Sequence, residues 1–416
     1  MPFRHQPKGP PMSKTDALPP AIPAAEGSPP PAVAGAGSPG PESSAGAQSG
    51  MAAGPARTEA GNTTGAQSAV SPLLSIIVVS YNTLEMTTAC IHSVIAQTKT
   101  PYELIVVDNN SPDGSGPALE AAFPPADYPM IRIYAETANH GFAKANNLAA
   151  HEARGEYLLL LNPDTVVLDG AIDKLFAFSR ARPEALIWGG RTLFGDGRLN
   201  ASSCWHRLTL WNVFCRATGL SGLFPKSEFW NSEAYGGWQR DTERAVDVVV
   251  GAFLLIPKAL WQRLGGFDLQ FVMYGEEADL CLRAREYGAD PRVTPGAEII
   301  HYVGASEKVQ VNKAVVLLKA KILLIQRHFP AWQRGMGVWL MRSWPGSRAV
   351  GFRILSRLTG RKKDSAALWN DVWARREEWW DGWPPLPADT PPPEPLGQSR
   401  STGSPSTPPR PVEKTA

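Results

Sequence analysis

From residue 74 to residue 180, apolar and polar positions alternate in blocks with two different periods. Leu74 to Ser80 (LSIIVVS) and Glu103 to Val107 (ELIVV) are short continuous apolar runs rich in Ile and Val. That is the pattern of strands buried on both faces of a parallel sheet. Between them, residues 83–97 place Leu84, Cys90, Ile91, Val94 and Ile95 at helical spacing. Strand, helix and strand within about 35 residues form a βαβ unit. The theme repeats, with strands expected at 131–134 and 157–161 and helices at 141–153 and 171–180. Such alternation predicts an α/β fold, an open and mainly parallel sheet with helices on both faces. Ligands of these sheets sit beyond the carboxyl ends of the strands.

At those ends stand Ser80-Tyr81-Asn82, then the run DNNSPDGS from Asp108 to Ser115, then Asn162-Pro163-Asp164. Asn139-His140-Gly141-Phe142 leads into a helix. Turns favour Asn, Asp, Pro and Gly, so any one segment alone reads equally well as a turn. All of them together point to a binding edge. Further on, VDVVVGAFLLIPKALWQRLGGFDLQFVMYGEEADLCLR crowds Asp268, Glu276, Glu277 and Asp279 around the start of an apolar-periodic helix. Burying so many acids is costly, although a helix N-terminus offers them N–H groups and the positive end of the dipole. Two readings stay open here: a helix cap, or a carboxylate presented as a base. No GxGxxG follows the first strand, and no GxxxxGK[ST] or GxSxG occurs. A dinucleotide oxidoreductase, a P-loop NTPase and a Ser-His-Asp hydrolase are therefore disfavoured.

Composition sets the limits of the folded part. Residues 1–72 are rich in Pro, Ala, Gly and Ser, with no Trp or Tyr and Phe3 as the only Phe. Such a segment buries too little apolar surface to offset the entropy of ordering, so a disordered tail is expected. A second Pro-rich disordered tail is expected over 384–416. The α/β domain is assigned to 73–310 and a basic helical region to 311–383. The first thirty residues lack a continuous apolar segment, and no uninterrupted apolar stretch reaches 18 residues. Neither a signal peptide nor a spanning helix is expected. Cys90, Cys204, Cys215 and Cys281 show no CxxC spacing, which suits reduced, buried thiols of a cytoplasmic protein.

The net charge of +2 hides an asymmetry: residues 312–363 hold twelve Lys and Arg and no Asp or Glu. Leu317, Leu318, Leu323, Leu324, Trp332, Trp339, Leu340 and Trp344 are interleaved with them. A cationic amphipathic region of this kind suits an anionic membrane surface. An accessory helix packed on the main domain is the competing reading. A nucleic-acid patch is disfavoured, since no DNA- or RNA-binding motif accompanies the charge.

Taken in order, SIIVVSYN, VVDNNSPDGS, ANHGFAKANN, LLLLNPDTVV, GAFLLI, the GGFD-to-DLCLR segment and IIHYVGAS resemble family 2 glycosyltransferases of the GT-A fold. The likeness is nearest to the bacterial rhamnosyltransferase-like branch and covers about residues 74–305. It implies a nucleotide-diphosphate sugar donor whose leaving group is neutralised by Mg2+ or Mn2+. It implies Asp164 as a metal ligand, with Asn162 where the family's DxD element has its first carboxylate. His301 matches a second ligand position; a strand-end histidine bonded to a backbone carbonyl is the alternative. Asp108 matches the residue that reads the base, with Ser80, Tyr81, Asn82 and Asn109 in the same pocket. Asn139, Lys144 and Asn162 fall near the donor as well, although helix capping and a solvated amine compete for the first two.

For the base the resemblance favours Glu277, with Glu276 orienting it; this chain has Glu-Glu where the family has Glu-Asp. Adjacent helical residues point about 100° apart, so only one of them can face an acceptor. Asp279 is expected to hold Arg283 by the i,i+4 relation. The implied reaction is inverting transfer of a sugar, with rhamnose the branch-level expectation. The acceptor would be a hydroxyl of a cell-envelope glycan or a lipid-linked glycan, reached on the inner face of the plasma membrane. A catalytically silent nucleotide-sugar binder or scaffold is the rival from another class. A nucleotidylyltransferase is disfavoured, because no glycine-rich basic loop follows the first strand.

Overall fold

Strands form at each place where a continuous apolar run was read. β1 (Leu74–Ser80), β2 (Tyr102–Asp108), β3 (Ile131–Ala135) and β4 (Tyr157–Leu161) lie parallel in the spatial order β3-β2-β1-β4. The computed structural model describes residues 73–302, 310–387 and Leu396. The tail over 1–72, the end of IIHYVGAS and most of 384–416 lie outside the described residues. Within the second tail, residues 384–387 and Leu396 are described, and Leu396 is buried in the main core.

Beyond β4 the sheet becomes mixed. β5 (Thr165–Val167), β6 (Trp188–Leu193), β7 (Phe253–Pro257) and β8 (Arg292–His301) extend it in the order β4-β7-β6-β8-β5. β7 runs antiparallel to both β4 and β6, β8 is parallel to β6, and β5 is antiparallel to β8. These reversals have a geometric result. The carboxyl ends of β1 to β4, the entry to β7 and the end of β8 all fall on one edge of the sheet.

Period-two alternation distributes the core over two faces. Ile77, Val79, Ile105 and Val107 pack with α3 (Gly141–Glu152), α6 (Lys258–Leu264) and α7 (Glu276–Glu286). Ile76, Val78, Leu104 and Val106 pack with α1 (Leu84–Gln97) and α4 (Ala171–Ala181). The helix α2 (Ser115–Ala122) follows β2, and α5 (Leu210–Thr218) follows β6.

The basic region is helical as expected, forming α8 (Gln310–His328), α9 (Ala331–Thr359) and α10 (Lys363–Ala374). Its apolar positions do not form one exposed stripe. Leu318, Leu323, Leu324, Leu340 and Trp344 are buried, whereas Trp332 and Trp339 face outward. Much of the stripe closes on α5 and on the other C-terminal helices, so the accessory-helix reading holds for that part. A buried ionic knot fastens the two regions: the Glu233 carboxylate pairs with Arg216 of α5 and with Lys321 of α8. Burial pushes the Glu233 carboxyl up, but Arg216 and Lys321 outweigh it and hold the group well below the usual range.

Candidate active site

Asp108 closes β2, and its carboxylate is almost fully buried. Oδ1 accepts the Ser111 hydroxyl at 2.5 Å and Oδ2 the Ser111 N–H at 3.1 Å. Gly116 makes room for it, since a Cβ there would lie 2.9 Å from both Asp108 Oδ2 and the Ala135 Cβ. The Asn82 N–H donates to Ser111 Oγ at 2.9 Å, which ties the loop after β1 to the loop after β2. Tyr81 and Asn82 are exposed beside it. Ser80 is different: its hydroxyl is buried among Thr83 Oγ1 and Thr87 Oγ1, at 3.2 and 2.9 Å. It holds β1 to α1 and does not face the edge.

Asn109 and Asn139 form one unit. Asn109 Nδ2 donates to Asn139 Oδ1 at 3.0 Å, and Asn109 Oδ1 accepts the His140 N–H at 2.8 Å. Asn139 Oδ1 also accepts the Gly141 N–H at 2.9 Å, a capping contact at the mouth of α3. Lys144, one turn into α3, is half-buried. A further acid stands here that sequence reading passed over. Glu136 directly follows β3, next to the position at which Asp108 closes β2; it is buried, with Oε2 3.2 Å from His140 Nε2. Its position at a strand end was the available signal.

Asn162, Asp164 and His301 meet although 139 positions separate the first from the last. Antiparallel pairing sets His301 opposite Thr165, and the Tyr302 N–H donates to the Asp164 carbonyl at 3.0 Å. His301 Nε2 lies 3.2 Å from Asp164 Oδ1 and 3.3 Å from Asn162 Nδ2. One ring nitrogen cannot donate to the carboxylate and accept from the amide at once. Asn162 Oδ1, meanwhile, is buried without a hydrogen-bond partner. An orphaned buried oxygen beside a carboxylate and an imidazole is a donor set that a divalent cation would satisfy. Among the described residues, no three His, Cys, Asp or Glu side chains come together as a fuller cage. These residues thus fit an ion that keeps several of its ligands from solvent or substrate.

The acidic cluster divides by partner. Asp268 Oδ1 accepts the Gln270 N–H at 2.8 Å and its Oδ2 pairs with Arg327. Asp279 pairs with Arg283, as the i,i+4 spacing implied, and also with His328. Neither is available for chemistry. Glu276 and Glu277 remain, at the start of α7, where Gly275 turns the chain with φ +89°. Any Cβ at Gly275 would press on Ala320 of α8 and on the Phe271 ring, both at 3.2 Å.

Glu276 is buried, and its Oε2 has no hydrogen-bond partner. Burial and the neighbouring Glu277 charge raise its carboxyl well above the usual range. Glu277 is half-buried; burial raises it too, while the N–H groups of Glu277 and Gly275 pull it down. Of the two carboxyls, Glu276 is therefore raised further, and Glu277 is the one on which negative charge costs less. Glu277 also stands beside the buried turn before β7: a Cβ on Gly251 would touch Phe142 at 3.7 Å and the Glu277 Cβ at 3.9 Å. The next residue, Ala252, accepts the Asn162 N–H through its carbonyl at 3.2 Å. One step of backbone links the Glu277 neighbourhood to the Asn162–Asp164–His301 cluster. Phe142 and Gly251 belong to this site by contact alone.

Residues 75–260 match the family model for glycosyl transferase family 2. The chain carries a family 2 glycosyltransferase domain. O-antigen biosynthesis protein RfbC of Myxococcus xanthus is 28% identical over 246 residues, which are 57% of this chain and 18% of that protein. The N-acetylglucosaminyl-diphospho-decaprenol L-rhamnosyltransferase of Mycobacterium tuberculosis is 24% identical over 306 residues, 70% of this chain and 96% of that enzyme. This chain thus spans under a fifth of the first relative and nearly all of the second. Among solved structures, the Pyrobaculum calidifontis mannosyltransferase PcManGT, in complex with GDP-Man and Mn2+, superposes with a TM-score of 0.47 at 15% identity. That overlap covers 75% of this chain and 88% of the mannosyltransferase. The α/β architecture and the family implied by the ordered segments are both borne out.

Proposed function

We propose that the chain is an inverting, metal-assisted glycosyltransferase of cell-envelope glycan synthesis. The observation that carries this reading is the gathering of Asp108, the Asn162–Asp164–His301 cluster and Glu277 on one edge of the sheet. Asp108 and the Asn109–Asn139 unit bind the nucleotide of a nucleotide-diphosphate sugar. Asp164, His301 and the amide oxygen of Asn162 hold Mg2+ or Mn2+, which supplies positive charge to the diphosphate leaving group. Glu277 takes the proton from an acceptor hydroxyl as that oxygen bonds to the anomeric carbon. The bond from that carbon to the diphosphate breaks, the nucleoside diphosphate departs with the electron pair, and one displacement inverts the centre. Glu276 retains its own proton and so leaves the charge on its neighbour.

Rhamnose as the sugar and a lipid-linked diphosphate glycan as the acceptor are supported by the name of the mycobacterial relative. An acceptor of that kind would bring the chain to the cytoplasmic face of a membrane, and α8 to α10 are the cationic part suited to meet it. No helix among the described residues is long and apolar enough to cross a bilayer. The test is a donor panel of dTDP-, UDP- and GDP-sugars with and without Mn2+, read as donor hydrolysis and as transfer to a lipid-linked acceptor. Binding of a donor without hydrolysis or transfer under any condition would favour the silent-binder reading instead.

A further inference from the structure

Helix α9 has one face too many. Its inner side buries Leu340, Met341, Trp344 and Ala349 in the core shared with α5, α8 and α10. The opposite side still carries large apolar groups. Trp332, Met336 and Trp339, spaced by four and three residues, are 79%, 52% and 62% exposed. Val350, Ile354 and Leu358, spaced by four and four, are 54%, 53% and 79% exposed. At 3.6 residues per turn, Trp332 and Val350 are separated by about five whole turns and share a side. The two groups lie toward the two ends of the helix, and the Gly346 side between them is closed by Trp373 of α10. Exposed apolar clusters of this size mark a binding face.

Within residues 312–363, which include α9, the formal charges are all positive. Several basic side chains of the region are already engaged: Lys321 with Glu233, Arg327 with Asp268 and Arg342 with Asp381. Arg357 near the end of α9, Arg361 and Lys362 in the turn that follows, and Lys363 at the start of α10 are exposed and make no ion pair among the described residues. Trp339 also walls a groove of about 630 Å³ shared with Trp373, Trp380, Arg334 and Arg342. Indole rings beside guanidinium groups suit the boundary between headgroups and acyl chains.

We infer that the outer face of α9 lies flat on an anionic lipid surface, with the apolar row in the acyl boundary and the basic end among the phosphates. This refines, and rests on, the peripheral association proposed above, but it does not depend on transfer activity. A second copy of this chain is a poorer occupant, because a two-fold contact through this face would bring its cations together. Nucleic acid would engage the charges but offers no hydrocarbon for Val350, Ile354 and Leu358.

The experiment is flotation of the full chain with vesicles of pure phosphatidylcholine and with vesicles rich in phosphatidylglycerol. Binding is expected only to the anionic vesicles and should weaken with salt. Trp332→Ser with Trp339→Ser, and separately Arg357→Gln with Arg361→Gln and Lys362→Gln, should each reduce it by about tenfold or more. Donor binding in solution should be unchanged in both variants, which reports that the fold is intact. Equal binding to neutral vesicles, no binding to either kind, or unaffected binding by both variants would overturn the inference. So would variants that lose self-association or binding to a DNA duplex while vesicle binding stays intact. Flotation of Glu277→Gln separates the two readings. Normal flotation without transfer supports docking whatever the fate of the enzymatic assignment, and an active enzyme that never floats sinks docking alone.

Discussion

His328 Nε2, in α8, stands 2.9 Å from Oδ1 of Asp279, in the helix that carries Glu277. The other oxygen of Asp279 takes Arg283 Nε at 2.7 Å, and Arg283 donates in turn to the carbonyls of Leu264 and Gly266. The C-terminal helical region therefore reaches into the carboxylate helix and fixes it from behind. Burial pushes the Asp279 carboxyl up, yet His328 and Arg283 together hold it below the usual range.

His328→Ala should destabilise the fold by about 1–3 kcal/mol, because a buried carboxylate loses one partner. The sign with pH follows from the depressed Asp279 carboxyl. Its contribution is present above the unfolded value near 4 and is lost as pH falls through the lower folded value. Denaturant titration of wild type and Asp279→Asn from pH 7 downward measures this. The gap between them should shrink toward acid, and a constant gap would contradict the assignment.

Glu277→Gln cannot accept a proton, so transfer should fall by about 10²–10⁴-fold with donor affinity retained. Glu276→Gln should cost less, since the amide replaces a carboxyl that already carries its proton. Transfer by the two variants beside donor affinity decides; near-normal transfer in both would make the pair a structural feature.

The pH profile gives an independent reading. Glu277 works ionised and burial raises its carboxyl, so the acid limb of transfer should lie above the ordinary glutamate value of about 4.3. Glu276 has a stability counterpart. A raised folded value means its favourable contribution holds below the unfolded value and is lost as pH rises. Glu276→Gln should accordingly stabilise more at pH 8 than at pH 5, and a thermal melt at both values checks it.

Asp164→Ala and His301→Ala should each abolish metal-dependent gain in donor affinity while leaving the melting temperature near that of wild type. Asp164 lies in the turn before β5 and His301 is the last residue of β8, so neither side chain belongs to the apolar packing of the sheet. Calorimetry with donor, with and without Mn2+, reads the difference; an undiminished Mn2+ effect in both would remove the metal assignment.

Asp108→Ala should weaken all nucleotides sharing the base by about 1.5–3 kcal/mol, the worth of a charged hydrogen bond. Because Asp108 also holds Ser111, the companion variant is Ser111→Ala, which loosens the turn and keeps the acid. Equal losses in the two would make Asp108 a turn residue.

The strands β1 to β4 and the helices between them were legible because their signals are local: Ile and Val runs, and apolar residues at helical spacing. Legible too were the polar segments at the strand ends and the Asp279–Arg283 pair, which spans one helical turn. β6 escaped because WGGRTL carries two glycines and an arginine and reads as a turn until Phe253 and Ala297 pack against it. The inward turn of Ser80 and the orphaned oxygen of Asn162 depend on which neighbours arrive, and spacing does not encode that. The meeting of Asp164 with His301 needs the reversal of β7 and β5 within the sheet. The same holds for the carboxylate pair. Sequence placed Glu276 and Glu277 at a helix start, but the depth of each side chain decided which carboxyl is raised further. In the basic region, charge and helicity were set by composition, whereas the packing of α5 against α9 chose which apolar residues are core and which remain outside. Local periodicity specifies an element and its faces; burial, and with it the protonation and accessibility of each group, exists only once the faces have met.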